Sequence, residues 1–233
     1  MQLKVDLHNH SCLSPCASNN LAPPVLAYEA YEKGLDIVAL SDHNSGRNLP
    51  AFSEACQILG LVGVYGVEVT TIEEVHLLAL FASLEEGEEF SAWIESLLPK
   101  NRNVASKFGH QLVCDVMGNV VEEVDLFLYG AANISFDNLT TTIVQRGGLA
   151  IPAHIDRPIN SVIANLGFLP PLPYSAVEVV NNPPRVATGE YCLIRSSDAH
   201  SIRDVATRFS TIEATTRDFK GLKEALQHKA VIL

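Results

Sequence analysis

Short apolar runs alternate with longer amphipathic stretches along this chain. The runs Val5 to Leu7, Ile37 to Leu40, Leu61 to Val69, Val75 to Phe81 and Leu149 to Ile151 read as strands, as do Ala176 to Val180, Cys192 to Ile194 and Phe209 to Ile212. Between them lie helical patterns. One opens on Pro23-Pro24, where a missing N–H costs nothing, and runs through Lys33 to Gly34. Others span Phe52 to Leu59, Glu88 to Leu98, Leu139 to Arg146 and Asp218 to His228, and Gly60, Pro99 and Gly147-Gly148 stop the first three. Residues 100 to 130 break the rhythm. There Leu112-Val113-Cys114 and Val120-Val121 flank the turn-forming Met117-Gly118-Asn119, which predicts a hairpin inside an insertion.

Alternation of this kind predicts an α/β fold with parallel strands and crossover helices, whose strand C-termini face one way and collect the active site. A chain of 233 residues suits a single domain over 1–233, with 100–130 inserted. The proline-rich stretch Phe168 to Pro173 is expected to loop over the mouth of the barrel.

Charge and composition narrow the function. Apolar residues make up 47% of the chain, enough for a large core, and the formal net charge is −11. That balance makes a membrane surface or a long nucleic acid an improbable partner, since both call for basic tracks. It leaves room for a small phosphorylated substrate, because bound cations would offset the acidity locally. The first residues lead straight into a polar cluster without an apolar signal segment. Five cysteines at irregular spacing read as reduced thiols. The expected location is therefore the cytoplasm.

The chemistry sits where the apolar runs end. His8-Asn9-His10 follows the first run, and residues i and i+2 of a strand face the same side, so both imidazoles can reach one metal. Asp198-Ala199-His200 repeats that spacing with a carboxylate and an imidazole. His43 follows a buried run, with Asp42 beside it as a group that could orient an imidazole. Glu68 stands among apolar neighbours, where an unpaired carboxylate is costly and a metal-bridging one is not. His76 and His154 complete the set, although His76 lies at the start of an apolar run and not at its end. Arg157 either clamps a phosphate or pairs with Asp156. Cys16 is a metal ligand or an ordinary free thiol. His110 and His228 read as loop and helix-end histidines, and Phe168, Tyr174 and Trp93 as aromatics that either stack on a base or fill the core.

His8-x-His10, Ser41-Asp42-His43, Gly66-Val67-Glu68, Glu74-Val75-His76, Ala153-His154 and Ser197-Asp198-Ala199-His200 occur in the order of the PHP (polymerase and histidinol phosphatase) family, and the chain resembles that family over nearly its whole length. The resemblance implies a distorted, TIM-like (β/α)7 barrel. It also implies two or three divalent metal ions, zinc, manganese or iron, at the C-terminal ends of the strands. The ligands it implies are His8, His10, His43, Glu68, His76, His154, Asp198 and His200. Cys16 stands about where many members carry a further Asp or His. The implied activity is phosphoester hydrolysis by a metal-activated water, on a phosphomonoester or nucleotide. Two other classes stay open: a non-catalytic metal-binding or regulatory domain, and an amidohydrolase-like enzyme acting on non-phosphate bonds.

Overall fold

A computed structural model describes residues 1–233. In chain order the elements are β1 (Gln2–Asp6), α1 (Pro23–Glu32), β2 (Ile37–Leu40), α2 (Leu49–Leu59), β3 (Val62–Thr70), β4 (His76–Phe81), α3 (Leu84–Leu97), α4 (Ala105–Phe108), β5 (Leu112–Cys114) and β6 (Val120–Glu123). Then follow α5 (Phe136–Gln145), β7 (Leu149–Pro152), α6 (Val162–Leu166), β8 (Val177–Glu178), β9 (Leu193–Ile194), β10 (Ser210–Glu213), α7 (Phe219–Gln227) and β11 (Val231–Ile232). No helix is long and apolar enough to cross a membrane.

The alternation is present, but the expected parallel barrel is not. Seven strands form one curled, mixed sheet in the order β11-β10-β1-β2-β3-β4-β7, and β8-β9 and β5-β6 form separate pairs. Only β1-β2 and β2-β3 within the large sheet run parallel; β3-β4, β4-β7, β1-β10 and β10-β11 are antiparallel. The physical reason is chain length. Between Thr70 and His76 there is room for a tight turn and none for a crossover helix, so β4 must return antiparallel to β3. This brings His76 to the end of the sheet where Glu68 lies. As the first residue of an antiparallel strand, it lies opposite Thr70, at the end where β3 finishes. The β8-β9 pair links the two ends of the large sheet: Ser175 N, just before β8, donates to Ala150 O on β7, and Arg195 N, just past β9, donates to Ser210 Oγ on β10.

Two helices, α3 and α5, start earlier than the apolar pattern shows, because side-chain caps set their first turns. Ser83 and Glu86 form a reciprocal capping box that begins α3 at Leu84, four residues before the amphipathic pattern opens. Ser135 Oγ accepts from Asn138 N and starts α5 at Phe136. Cores form on both sides of the sheet. One is built around Val67, Leu77, Ala79 and α3 and α5, another around Val5, Ile37, Leu78 and α7. The hairpin strands β5 and β6 stand as predicted, tied to the body by Leu112 N donating to Cys12 O and by Arg47, which bridges Glu95 and Glu122.

Gly66 pairs with Leu80 on β4, and a Cβ there would collide with the backbone carbonyl of Ala79. That atom belongs to the ladder and cannot give way. Gly66→Ala is therefore expected to cost about 3 kcal/mol or more, toward the upper end for single substitutions, read as a fall in the urea midpoint at unchanged m-value.

Candidate metal centre

Every donor lies at one end of the sheet, as the strand directions require. His8 and His10 follow β1, His43 follows β2, Glu68 ends β3, His76 begins β4, His154 follows β7, and Asp198 and His200 follow β9. Apart from His200, whose side chain is 30% exposed, all of these side chains are almost wholly buried. Glu68 is the hub. Its Oε1 lies 2.9 Å from His76 Nδ1, 3.2 Å from His8 Nε2 and 3.2 Å from His154 Nε2. Its Oε2 lies 3.1 Å from His43 Nδ1 and 3.4 Å from His10 Nε2. Asp198 Oδ1 sits 3.3 Å from both His8 Nε2 and His10 Nε2.

This donor set fits metal ions. Three groups have ligand atoms within 4.8 Å of one another: His10, His43 and His200; His8, His10 and Asp198; His43, Glu68 and His76. Zinc-class cations bond nitrogen and oxygen at about 2.0–2.2 Å, which sets neighbouring ligands of one tetrahedral ion about 3.4 Å apart. The separations around Glu68 and Asp198 have that scale. His43 Nε2 and His154 Nδ1, both buried, lack a hydrogen-bond partner. A buried imidazole without partners is costly unless its lone pair meets a cation.

A surrounding layer fixes the tautomers. Glu178 Oε2 accepts from His8 Nδ1 at 2.9 Å and from His154 N at 2.8 Å, so the Nε2 lone pair of His8 points into the cluster. Ser14 Oγ donates to Asp42 at 2.6 Å and accepts from His10 Nδ1 at 3.0 Å, which turns His10 Nε2 inward likewise. His200 Nδ1 donates to the Asp198 carbonyl at 2.9 Å. Two donors sit on left-handed backbone, His154 at φ +33° and Asp198 at φ +50°. Such conformations cost about 1–3 kcal/mol each and survive only where bonds over-determine them. Here the Glu178 contact to His154 N and the bond from Asp198 N to His8 O do so.

Electrostatics follow from crowding. Burial opposes a charge on His10, but hydrogen bonds to Asp198 and Glu68 outweigh it and raise its pKa to about 9. His8 moves up in the same way, driven by Glu178, Asp198 and Glu68. Burial would raise Glu68, yet the surrounding imidazoles, His76 foremost, hold it well below the usual carboxylate range. Burial and the neighbouring His10 keep His43 neutral down to about 3.

The remaining expectations fare differently. Asp42 touches no imidazole; it is buried, accepts from Ser11 N and Ser11 Oγ, and reaches His10 only through Ser14. Arg157 does not pair with Asp156, which instead accepts from Val180 N and Asn181; its Nη1 lies 2.6 Å from Asp198 Oδ2. Cys16 enters none of the donor groups and is exposed. His110 pairs with Glu123 at an exposed site, and His228 caps α7. Phe168 to Pro173 does not cover the centre; Phe168 and Pro170 line a separate surface pocket with Glu73 and Asp137. The cleft above the donors is bordered by Tyr129, Arg157, Ile159 and Asn160. Glu178 was missed, although it carries the signal that marked Glu68, a carboxylate inside an apolar run, Val177-Glu178-Val179-Val180.

Removing the support of His10 should be measurable. Asp42→Asn is expected to weaken metal binding by about 10- to 100-fold, the usual effect of losing a group that orients a ligand, in a chelator-competition titration. Unchanged affinity would show that Ser14 alone suffices.

The chain matches the PHP domain over residues 6–150 and belongs to that family. It is 32% identical over 83 residues to a 5′-3′ exoribonuclease of Haemophilus influenzae, a match covering 34% of this chain and 29% of that protein. Among solved structures, the lesion-specific endonuclease PfuEndoQ of Pyrococcus furiosus superposes with a TM-score of 0.70 at 18% identity, covering 98% of this chain and 56% of the endonuclease. A metal-dependent phosphoesterase of Bifidobacterium adolescentis, so described provisionally, superposes with a TM-score of 0.63 at 17% identity, over 98% of this chain and 97% of the other. The chain thus spans about half of the endonuclease and under a third of the exoribonuclease. The likenesses to these solved structures show a mixed α/β fold.

Proposed function

We propose that this protein is a metal-dependent phosphoesterase that removes a terminal phosphate from a small phosphorylated substrate. The observation that carries this reading is the convergence of five imidazoles on Glu68 beneath a cleft whose rim holds an arginine. His8, His10, His43, Glu68, His76, His154, Asp198 and His200 would hold two or three divalent cations. Cations bound there would acidify a water and neutralise charge on the phosphoryl oxygens. The chain's own groups do the rest. Arg157 reaches from Asp198 toward the cleft and offers its remaining N–H groups to a phosphate oxygen. Glu178 and Ser14 keep two imidazoles in the tautomer that faces inward. Tyr129 and Ile159 border the cleft above the site.

The cleft volume, about 80 Å³, supports a terminal phosphate rather than a whole ligand inside it, since pockets that enclose drug-sized ligands measure roughly 300–1,000 Å³. The net charge of −11 does not by itself set the size of the substrate, because an endonuclease Q of the same fold is described in complex with a 27-mer duplex. A non-catalytic role is disfavoured because no donor is missing from the set.

The test combines elemental analysis with turnover of phosphomonoesters, an aryl ester and a 5′-phosphorylated oligonucleotide, with and without chelator. Two or more equivalents of zinc, manganese or iron and chelator-sensitive phosphatase activity are expected. Ester cleavage without phosphatase activity, or no turnover after metal reconstitution, would overturn the reading.

A further inference from the structure

If the cleft admits only the phosphate, the rest of the ester must lie across the rim, and the rim has a distinct chemistry. Its exposed apolar side chains are Tyr129, 39% exposed, and Ile159, 67% exposed. Tyr129 meets His43 at 4.7 Å between ring centroids, with the planes at 70°. This edge contact fixes the ring beside the metal centre and leaves aromatic surface open to the cleft.

Tyr129 is also held in place more firmly than an exposed loop residue needs to be. Asn44, the residue after His43, donates from Nδ2 to Leu128 O at 2.7 Å and to Gly130 O at 2.9 Å, gripping the chain on both sides of Tyr129. Its Oδ1 accepts from Thr70 N at 3.0 Å, on the strand that carries Glu68. Asn44 is wholly buried and sits at φ +53°, a conformation that asparagine tolerates better than most residues. One side chain thus ties together the His43 loop, the Glu68 strand and the strap bearing Tyr129. Pre-ordering of this kind lowers the entropy lost when a ligand is gripped.

We propose that Tyr129 is the specificity-determining residue of the site, stacking on the nucleobase of a nucleoside monophosphate whose phosphate enters the cleft. The proposal rests on the phosphoesterase reading for the position of the phosphate. The aromatics singled out from the sequence are placed elsewhere: Trp93 packs on Phe90 and beneath Arg146, Tyr174 is buried against Phe136 and Tyr191, and Phe168 lines another pocket. Tyr129 is the tyrosine at the rim.

The test measures binding of two non-hydrolysable 5′-phosphonates, those of adenosine and of ribose, to the manganese-loaded protein by calorimetry. The ribose probe carries an anomeric hydroxyl in place of the base. Base–aromatic stacking contributes about 1–3 kcal/mol by alanine substitution, or about 5- to 150-fold. The adenosine probe is expected to bind tighter by a factor in that range. Tyr129→Ala should abolish the preference, and Tyr129→Phe, which keeps the ring, should retain it. Equal binding of both probes, binding of neither, or a preference that persists in Tyr129→Ala would each overturn the proposal. Because binding is read without turnover, a protein that prefers the adenosine probe yet hydrolyses no phosphate ester would sink the phosphoesterase reading alone.

Discussion

Glu68→Gln protein is expected to retain less than half of the wild-type metal and to hydrolyse phosphate esters about 10² to 10⁴ times more slowly. The reason lies in what one carboxylate does. Glu68 approaches five imidazoles within 3.4 Å and is buried. Its negative charge offsets protons on His8 and His10 in the metal-free protein, and would offset cations in the loaded one. Glutamine keeps the shape and removes the charge, and its NH2 group presents hydrogens where lone pairs are required. Breaking a buried charge set by removing one partner costs about 3–5 kcal/mol, and about 1.4 kcal/mol corresponds to a tenfold change. Elemental analysis and steady-state kinetics on protein shown to be folded by circular dichroism would check it. Wild-type metal content and rate in this variant would mean that the centre is not organised on Glu68.

Stripped of metal, the protein is expected to be most stable near pH 6.5 and to lose several kcal/mol between there and pH 9. The sign follows from the folded-state shifts. His10, raised from 6.5 to about 9, contributes stability that is complete below pH 6.5 and disappears as the pH rises through about 9; His8 acts in the same direction. The 2.5-unit difference for fully buried His10 alone corresponds to about 3 kcal/mol. On the acid side His43, lowered to about 3, and His200, lowered to about 4, must stay neutral while the unfolded chain takes up protons, so stability falls below pH 6.5. Asp6, raised to about 6 by burial, opposes this decline in part. Below about pH 4 the depressed carboxylates Glu68 and Asp198 add to it. Metal must displace the protons on His8 and His10, so its apparent affinity should climb about tenfold per pH unit for each proton released. Urea midpoints of the chelator-treated protein from pH 5 to 9, beside competition titrations of metal, would check both statements. A flat stability profile above pH 6.5 would contradict the charge balance described for the cluster.

The members of the cluster were legible in the sequence because each is a polar residue of costly type placed at an apolar run. His8 and His10 share a face by strand periodicity, and Asp198 and His200 repeat that spacing. Glu178 is not legible in the sequence because its partner, His8, is 170 residues away, and a carboxylate's role in holding an imidazole shows only once the two are side by side. Asp42 adjoins His43 in the sequence, yet its hydrogen bonds go to Ser11 and Ser14 on another loop. Tyr129 looked like part of an irregular insertion, and only Asn44, from 85 residues earlier in the chain, brings it to the rim.

The sequence by itself determined the α/β alternation, the hairpin strands β5 and β6 and the set of side chains that tertiary structure gathers into one cluster, because hydrophobic periodicity and the burial cost of polar groups act locally. Tertiary structure alone decided the strand directions, which turn His76 toward the centre, and the choice of Asp198 over Asp156 as partner of Arg157. It also set the charge state of each imidazole. These depend on which groups meet across the sheet, and a Coulomb interaction in a buried cluster varies with distances that no local pattern encodes.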